Sequence, residues 1–323
     1  MSGFRIQTPS RLHFGLLSWG SESARRFGGV GLMIDRPGLE IEAHESSDWQ
    51  AEGPLADRAL RFAEEIADRL GRDRVPPCRL LIRRAAPEHV GLGTGTQLGL
   101  AVSSLLAALA GLPEASGPVL AEWAGRGRRS GIGLQGFDRG GLIVDGGRRV
   151  DEGVPPLIAH HPFPDDWRVL VVLPEARPGL HGGDEVEAFR RLPPWAATLT
   201  DRLCRLVLLG ILPAVAEQNL PAFGAALEEL QHCVGLGFAP VQGGPYSGRY
   251  AGEIVNRLRE HGLQGVGQSS WGPALYAFDL AEEARQRQVL QWLRDRFGLD
   301  ETSAFWTRAS RFGAVRNRIG ANP

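Results

Sequence analysis

The alternation of hydrophobic and polar positions predicts strands and one surface helix in the first part of the chain. Residues 4–17 alternate and end in apolar residues, which predicts two short strands broken at Pro9. Gly29–Asp35 is predicted as a buried strand and Gly38–Ala43 as its hairpin partner. Ala56–Leu70 carries apolar residues at helical spacing with charges opposite, which predicts an amphipathic surface helix.

The stretch Pro87–Gly111 leads from a glycine-rich turn into a helix that is apolar on nearly all sides, and we expect this helix to be buried. A glycine-rich turn that opens a buried helix presents backbone N–H groups at the positive end of the helix dipole. Such a site suits phosphate or pyrophosphate. A simple helix cap would explain an isolated Gly-x-Gly, but two further glycine-rich stretches favour anion binding.

The second half of the chain begins after a proline-rich segment, Gly153–Asp166, where we place a domain boundary. The predicted domains are residues 1–160 and 161–323. The elements predicted in the second domain are a buried strand at Trp167–Pro174, helices at Trp195–Asn219, Leu220–Val234 and Ser247–His261, a strand–turn–strand unit at Gly262–Phe278, a helix at Ala281–Phe297 and a strand near Ser303–Ala309.

Composition excludes several classes of protein. The 323 residues are 43% hydrophobic and 23% charged, with a net charge of −1, which is typical of a globular protein and gives no electrostatic basis for nucleic-acid binding. Neither a signal pattern nor a run of 18 apolar residues is present, so we expect a cytoplasmic protein without a membrane partner. Three scattered cysteines argue against a disulfide framework and a zinc site.

All 36 basic residues are arginine, and lysine is absent. This excludes a P-loop lysine, a pyridoxal Schiff base and a lysine nucleophile. Anionic substrates must therefore be held by arginine, backbone amides or metal.

Four groups of residues are candidates for a binding site, in the first strand, the first glycine-rich loop, a second glycine cluster and a late turn. Arg11 and His13 share one face of a strand, which suits a phosphate or carboxylate and equally fits an ordinary polar face. Arginines beside a second glycine cluster could hold phosphate oxygens, and Asp138 is either a Mg²⁺ ligand or a turn aspartate. The remaining candidates are Gly91, Gly93, Thr94, Gly95 and Thr96 in the first loop, Ser130, Gly131 and Gly133 in the second cluster, and Gln268, Ser269, Ser270 and Trp271 in a late turn.

The three glycine-rich stretches, in this order, resemble those of the GHMP kinase superfamily. The motifs that carry this resemblance are PSRLHFGLL through GGVGLMID, the loop PEHVGLGTGT, and GVGQSSWG. The resemblance spans nearly the whole chain and implies an α+β, two-domain GHMP kinase-like fold. It implies a ribosomal protein S5 domain 2-like N-terminal domain with a left-handed βαβ unit, and a ferredoxin-like C-terminal domain.

One departure from the kinase pattern concerns the reaction. Kinases of this superfamily often carry Ser-Gly-Ile-Asp, whose aspartate serves phosphoryl transfer, whereas this chain has glycine at the corresponding position, Gly133. Glycine has no side chain that could accept a proton or bind a metal.

The motif set PSRLHFGLL, GLGTGTQLGL, RSGIG and GQSSWGP resembles one branch of the superfamily, the β-ribofuranosylaminobenzene 5′-phosphate synthases of methanopterin biosynthesis.

This resemblance implies a reaction of phosphoribosyl pyrophosphate with 4-aminobenzoate or 4-hydroxybenzoate, with release of CO₂ and pyrophosphate. Arg11 and His13 would be catalytic, Trp271 would stack on the aromatic acid, and Thr94, Thr96 and Asp138 are the candidate ligands of Mg²⁺, with no organic cofactor. Two alternatives stay open: an ATP-dependent kinase with Asp138 or Asp35 as base, and a catalytically silent binding protein. The sequence also leaves open whether the protein forms a homodimer.

Overall fold

The computed structural model describes residues 3–20, 25–149, 153–174 and 182–320, which form two β-sheets covered by helices. The first sheet contains seven strands and the second contains four, within the described ranges. This is the mixed α+β architecture expected from the sequence.

The first sheet is built on two long antiparallel strands. In sheet order its path is β11–β1–β2–β4–β3, and β5 and β6 extend it from β2. The strands are β1 (Gly3–Ser18), β2 (Phe27–Glu45), β3 (Gln50–Glu52), β4 (Cys78–Arg84), β5 (Leu142–Asp145), β6 (Leu157–His161) and β11 (Val315–Ile319).

The predicted break at Pro9 is wrong, because β1 is continuous through it. The register of β1 against β2 shifts between Thr8 and Ser10, so the proline lies at an irregularity where the ladder does not need its missing N–H. The predicted strands Gly29–Asp35 and Gly38–Ala43 are likewise parts of one strand, β2, which bonds to β1 along most of its length.

The second sheet is antiparallel and has the order β10–β7–β9–β8. Its strands match the four segments predicted in the second half of the chain. They are β7 (Trp167–Val172), β8 (Gln264–Gln268), β9 (Leu275–Leu280) and β10 (Ala304–Thr307).

Helices pack against both sheets, and the glycine-preceded helix α2 is buried along most of its length, as predicted. The predicted helix Trp195–Asn219 is divided by a π-helical turn at Val207–Ile211. The α-helices are α1 (Ala56–Leu70), α2 (Thr94–Leu109), α3 (Gly117–Trp123), α4 (Ile132–Arg139), α5 (Gly182–Arg191), α6 (Ala197–Leu206), α7 (Leu212–Ala216), α8 (Leu220–Gln242), α9 (Ala251–Glu260) and α10 (Glu283–Phe297).

The hydrophobic core crosses the position of the expected domain boundary. Phe14 from β1 packs on Tyr276 and Phe278 from β9, with ring centroids 5.1 and 6.1 Å apart. In addition, β11 returns from the end of the chain to pair with β1. One hydrophobic cluster therefore spans both halves, beside a cluster within each half, and the division at residue 160 stays a prediction. No helix in the described part of the chain is long and apolar enough to cross a membrane.

Candidate active site

Hydrogen bonds join three segments at one place: strand β1, the glycine-rich loop before α2, and the late turn at Gln268–Trp271. The Ser269 hydroxyl donates to the carbonyl oxygen of Gly91 (2.6 Å) and accepts the backbone N–H of His13 (2.9 Å). The backbone N–H of Ser270 donates to the His13 carbonyl at 3.0 Å, and that of Arg11 donates to the Leu92 carbonyl at 2.9 Å. Ser269 is fully buried, so its hydroxyl connects the segments rather than facing a ligand.

The first turn of α2 opens into the cleft formed at this junction. Gly93 precedes the helix with φ of 73°, and its carbonyl accepts the N–H groups of Thr96 (3.0 Å) and Gln97 (3.1 Å). The Thr94 hydroxyl donates to the Pro87 carbonyl at 2.8 Å, which ties the loop to the helix that follows it. Gly93, Thr94, Gly95 and Thr96 all line the cleft, so the positive end of the helix dipole faces it.

Two glycines in the loop are required by close approach. Gly91 has φ of 93°, and a Cβ atom there would overlap the backbone carbonyl oxygen of Ser269. Gly93 also has positive φ, and a Cβ atom there would lie 3.1 Å from Cβ of Arg11. The loop can therefore contact both β1 and the late turn only because these residues lack side chains.

Arginines dominate the charge of the cleft, which has a volume of about 580 Å³. No aspartate or glutamate lines it among the described residues. Arg58 reaches it from α1, forming an ion pair with Glu88 and lying against Gly95. The arginines that line the cleft are Arg11, Arg58, Arg126, Arg128 and Arg129. A cleft with this charge suits a polyanionic ligand.

The other end of the cleft is aromatic. The Trp271 ring lies 5.3 Å from that of Phe189 and 4.4 Å from that of Phe238, measured between centroids. Trp271 is 5% exposed, so the late turn holds its indole in the wall instead of in solvent. The guanidinium of Arg129 lies over the Phe189 ring at 5.4 Å, where the cationic and aromatic ends meet.

His13 lies buried at the floor of the cleft. Burial, and secondarily the positive charge of Arg11, hold the pKa of His13 well below its usual value, so the imidazole is neutral at pH 7. Its Nε2 atom lies 3.1 Å from the hydroxyl of Ser130, which also lines the cleft.

Asp145 is a carboxylate behind the cleft that the sequence analysis did not identify. It ends β5, is fully buried, and accepts the N–H groups of Gly131 (2.8 Å) and Gly147 (2.9 Å). The Ser130 hydroxyl donates to it at 3.3 Å. Burial raises the pKa of Asp145 to about 6, against the opposing effect of these hydrogen bonds.

This raised pKa predicts a specific pH dependence of stability. The folded protein holds the Asp145 proton more tightly than the unfolded chain, in which the pKa of this group has its ordinary value of 3.8. The contribution of this group is therefore complete below about pH 4 and is lost as the pH rises through about 6, by on the order of 3 kcal/mol. Urea unfolding of wild type and Asp145→Asn across this range should show their difference in unfolding free energy changing in that direction. A constant difference would contradict the raised pKa.

Several residues expected at the site are not brought to the cleft surface. The Gly131 N–H is already donated to Asp145, and the Gly133 carbonyl accepts Nε2 of Gln97 at 2.9 Å. Both oxygens of Asp138 accept the N–H of Gly117, at 2.8 and 3.0 Å, which places this carboxylate at the start of α3. Asp35, the other base considered for a kinase, is exposed on β2 outside the cleft lining.

Other lining residues, apart from His89, were missed because their segments carry no local motif. Arg58 lies on the charged face of a helix that was interpreted as a solvated surface. Phe189 and Phe238 enter the cleft only through tertiary packing, whereas His89 lies in the PEHVGLGTGT loop and was not selected from it. Among the described residues, no group of three or more His, Cys, Asp or Glu side chains converges as a metal site.

Comparison with known proteins identifies relatives along most of the chain, although no family model matches it. The β-ribofuranosylphenol 5′-phosphate synthase of Methanocaldococcus jannaschii is 33% identical over 303 residues, covering 84% of this chain and 88% of the relative. The synthase of the same name from Archaeoglobus fulgidus is 36% identical over 288 residues, covering 84% and 87%.

Solved structures with the same fold are more distant in sequence. A protein described as a homoserine kinase from Listeria monocytogenes superposes with a TM-score of 0.68 at 17% identity, covering 98% of this chain and all of the other. A mevalonate diphosphate decarboxylase from Staphylococcus aureus gives a TM-score of 0.65 at 12% identity, covering 98% of each chain. These structures confirm the GHMP kinase-like fold.

The curated relatives also confirm the motif-based resemblance, since each of them matches along most of both chains. The chain is thus an enzyme with a GHMP kinase fold, and it belongs to the β-ribofuranosylphenol 5′-phosphate synthase family.

Proposed function

We propose that this enzyme transfers a ribosyl 5-phosphate group from phosphoribosyl pyrophosphate to 4-aminobenzoate or 4-hydroxybenzoate, releasing CO₂ and pyrophosphate. The observation that carries the proposal is the cleft itself. Five arginines line it, three of them beside the glycine-rich loop and first turn of α2, and Trp271, Phe189 and Phe238 form an aromatic wall. A phosphorylated sugar and an aromatic acid need these two environments side by side.

The pyrophosphate is assigned to the loop and first turn of α2. Backbone N–H groups from Gly91 to Gly95 and the arginines beside them provide positive charge where the leaving group develops negative charge. Arg58 and Arg126 are suited to this role because both lie against Gly95. Departure of pyrophosphate then needs electrostatic stabilisation more than a general base.

The aromatic acid is assigned to the wall formed by Trp271 and its neighbours, with Gln268 and Ser270 on the same turn. Arg11 holds either the 5′-phosphate or the carboxylate, and neutral His13 accepts a hydrogen bond from a hydroxyl or amino group of the substrate. Ser130 faces the cleft beside His13, whereas Gly131 and Gly133 support the segment from behind.

The reaction balances without a net proton transfer. The bond between C1 of the ribose and the pyrophosphate oxygen breaks, and the ring carbon that bears the carboxylate attacks C1. The bond from that carbon to the carboxylate then breaks, CO₂ leaves, and the electron pair restores the aromatic ring. A carboxylate base is not needed, which agrees with a described cleft lining that has arginines and no carboxylates.

The residues present fit Mg²⁺ that arrives with the substrate. Mg²⁺ keeps several waters and is often held through substrate phosphates with few protein ligands. The hydroxyls of Thr94 and Thr96 lie at the first turn of α2, where they would complete such a shell. When bound, the ion would neutralise charge on the pyrophosphate as it leaves.

The proposed reaction is tested by identifying its products. Purified protein with Mg²⁺, phosphoribosyl pyrophosphate and either acid should release pyrophosphate, and NMR of the product should show a carbon–carbon bond between C1 and the ring. Omitting the acid should abolish pyrophosphate release. An ATP-dependent phosphorylated product in a parallel reaction, without ribosyl transfer, would replace the proposal with a kinase activity.

Trp271→Phe is expected to weaken binding of the aromatic acid specifically. The smaller ring keeps an aromatic side chain in the wall but loses contact area, which should raise KM for the acid by about 5- to 20-fold, corresponding to roughly 1–2 kcal/mol. KM for phosphoribosyl pyrophosphate should stay unchanged. Trp306→Phe on β10, outside the cleft lining, is the matched control. An equal rise in both KM values would contradict the assignment of Trp271.

A further inference from the structure

The hydroxyl of Ser130 has all its hydrogen-bonding capacity used, and this fixes the direction of each bond. A hydroxyl has one hydrogen to donate and two lone pairs. It accepts the N–H of Ile132 at 3.2 Å and contacts Asp145 Oδ2 at 3.3 Å and His13 Nε2 at 3.1 Å. An ionised carboxylate only accepts, so the single hydroxyl hydrogen points to Asp145. The remaining lone pair must then receive a hydrogen from His13.

We propose that Asp145 is a positioning residue that acts through Ser130 to hold His13 in the tautomer protonated at Nε2. This leaves Nδ1 as the acceptor of the ring. The side chains that form this relay come from β1, from the segment before α4, and from the end of β5.

The surroundings of Asp145 support a fixed orientation. Its Oδ2 atom also accepts the Gly131 N–H at 2.8 Å, and its Oδ1 atom accepts the Gly147 N–H at 2.9 Å. Both oxygens are therefore held by backbone, and the carboxylate cannot rotate away from Ser130 without breaking two bonds to buried groups. A pKa of about 6 leaves Asp145 ionised above neutral pH, where the relay has the stated direction.

The consequence for the reaction rests on the proposed function, in which neutral His13 accepts a hydrogen bond from the substrate. In the opposite tautomer Nδ1 would carry a hydrogen and present a donor instead. Loss of the carboxylate that orients His13 is expected to lower kcat by about tenfold or more. KM should not rise.

The tautomer can be measured without turnover, by ¹⁵N NMR of protein labelled at histidine, with the His13 signals assigned by their loss in His13→Asn. At pH 7.5 the wild-type spectrum should show a protonated Nε2 and an unprotonated Nδ1. Ser130→Ala and Asp145→Asn should each convert this to a mixture or to the Nδ1-protonated form. The control is Asp279→Asn, which alters a different buried carboxylate, on β9, that is bonded to Arg285 of α10. This variant should leave the His13 signals unchanged.

Kinetics provide the second readout as a double-mutant cycle. Asp145→Asn should lower kcat about tenfold in the wild-type background and less than about twofold in the Ser130→Ala background, because the effect passes through Ser130. A protonated Nδ1 in wild type, or an equal loss of kcat in both backgrounds, overturns the proposal. If Asp145→Asn does not fold, Ser130→Ala alone still tests the tautomer. An inactive but folded wild-type protein would contradict the proposed function and leave the spectroscopic test in place.

Discussion

Arg11→Ala is expected to lower kcat/KM by about 10²- to 10³-fold, because it removes a fixed positive charge at the junction of β1 with the glycine-rich loop. The fold should be retained, since Arg11 is only half-buried and the backbone bond from its N–H to Leu92 does not depend on the side chain. Steady-state kinetics and thermal unfolding of the purified variant measure the two effects separately.

Two further variants define what Arg11 contributes. Arg11→Lys keeps the charge and loses the planar fork of donors, so its activity should lie between wild type and Arg11→Ala. Arg202→Ala removes an exposed arginine that pairs with Glu229 on the surface, and it should retain full activity. Wild-type rates in a folded Arg11→Ala protein would remove Arg11 from the catalytic machinery.

Gly91→Ala is expected to lower kcat/KM by at least about tenfold, through a rise in KM for phosphoribosyl pyrophosphate. The new Cβ atom would overlap the carbonyl oxygen of Ser269, which is backbone and cannot rotate away. The loop must therefore shift from the late turn, and the N–H groups of the α2 first turn shift with it.

Gly111→Ala is the matched control for this change. Gly111 follows the same helix with φ of 65°, so alanine there meets similar backbone strain, but nothing lies within 4 Å of its Cβ position. The control should lose some stability, about 1 kcal/mol, with unchanged KM. If Gly91→Ala and Gly111→Ala had the same KM, close packing of the loop against Ser269 would not matter for substrate binding.

Much of the fold could be predicted from local pattern, but long-range pairing could not. Helix α1 has the bounds that its spacing of apolar residues predicts, and α2 is buried as its composition requires. Strand β11 was missed because its exposed and half-buried positions carry little periodic signal, and it is held mainly by pairing with β1 at the opposite end of the chain.

The candidate site shows the same division between local and tertiary information. The glycine-rich loop and the turn at Gln268–Trp271 could be selected from composition, since glycine and an unusual tryptophan mark them. Asp145 could not, because it is the last residue of a short apolar strand and its sequence neighbours, Gly146 and Gly147, are typical of a hairpin turn. Its proximity to His13 depends on how β5 pairs with β2 and β2 with β1, a tertiary arrangement that no local spacing encodes.

The most direct test of the account is ¹⁴CO₂ release from carboxyl-labelled 4-aminobenzoate and 4-hydroxybenzoate. Each acid is incubated with purified protein and Mg²⁺, with and without phosphoribosyl pyrophosphate, and with ATP in a parallel reaction. We expect release from at least one acid that depends on phosphoribosyl pyrophosphate and not on ATP. No release from either acid, by protein that is folded and binds phosphoribosyl pyrophosphate, would contradict it.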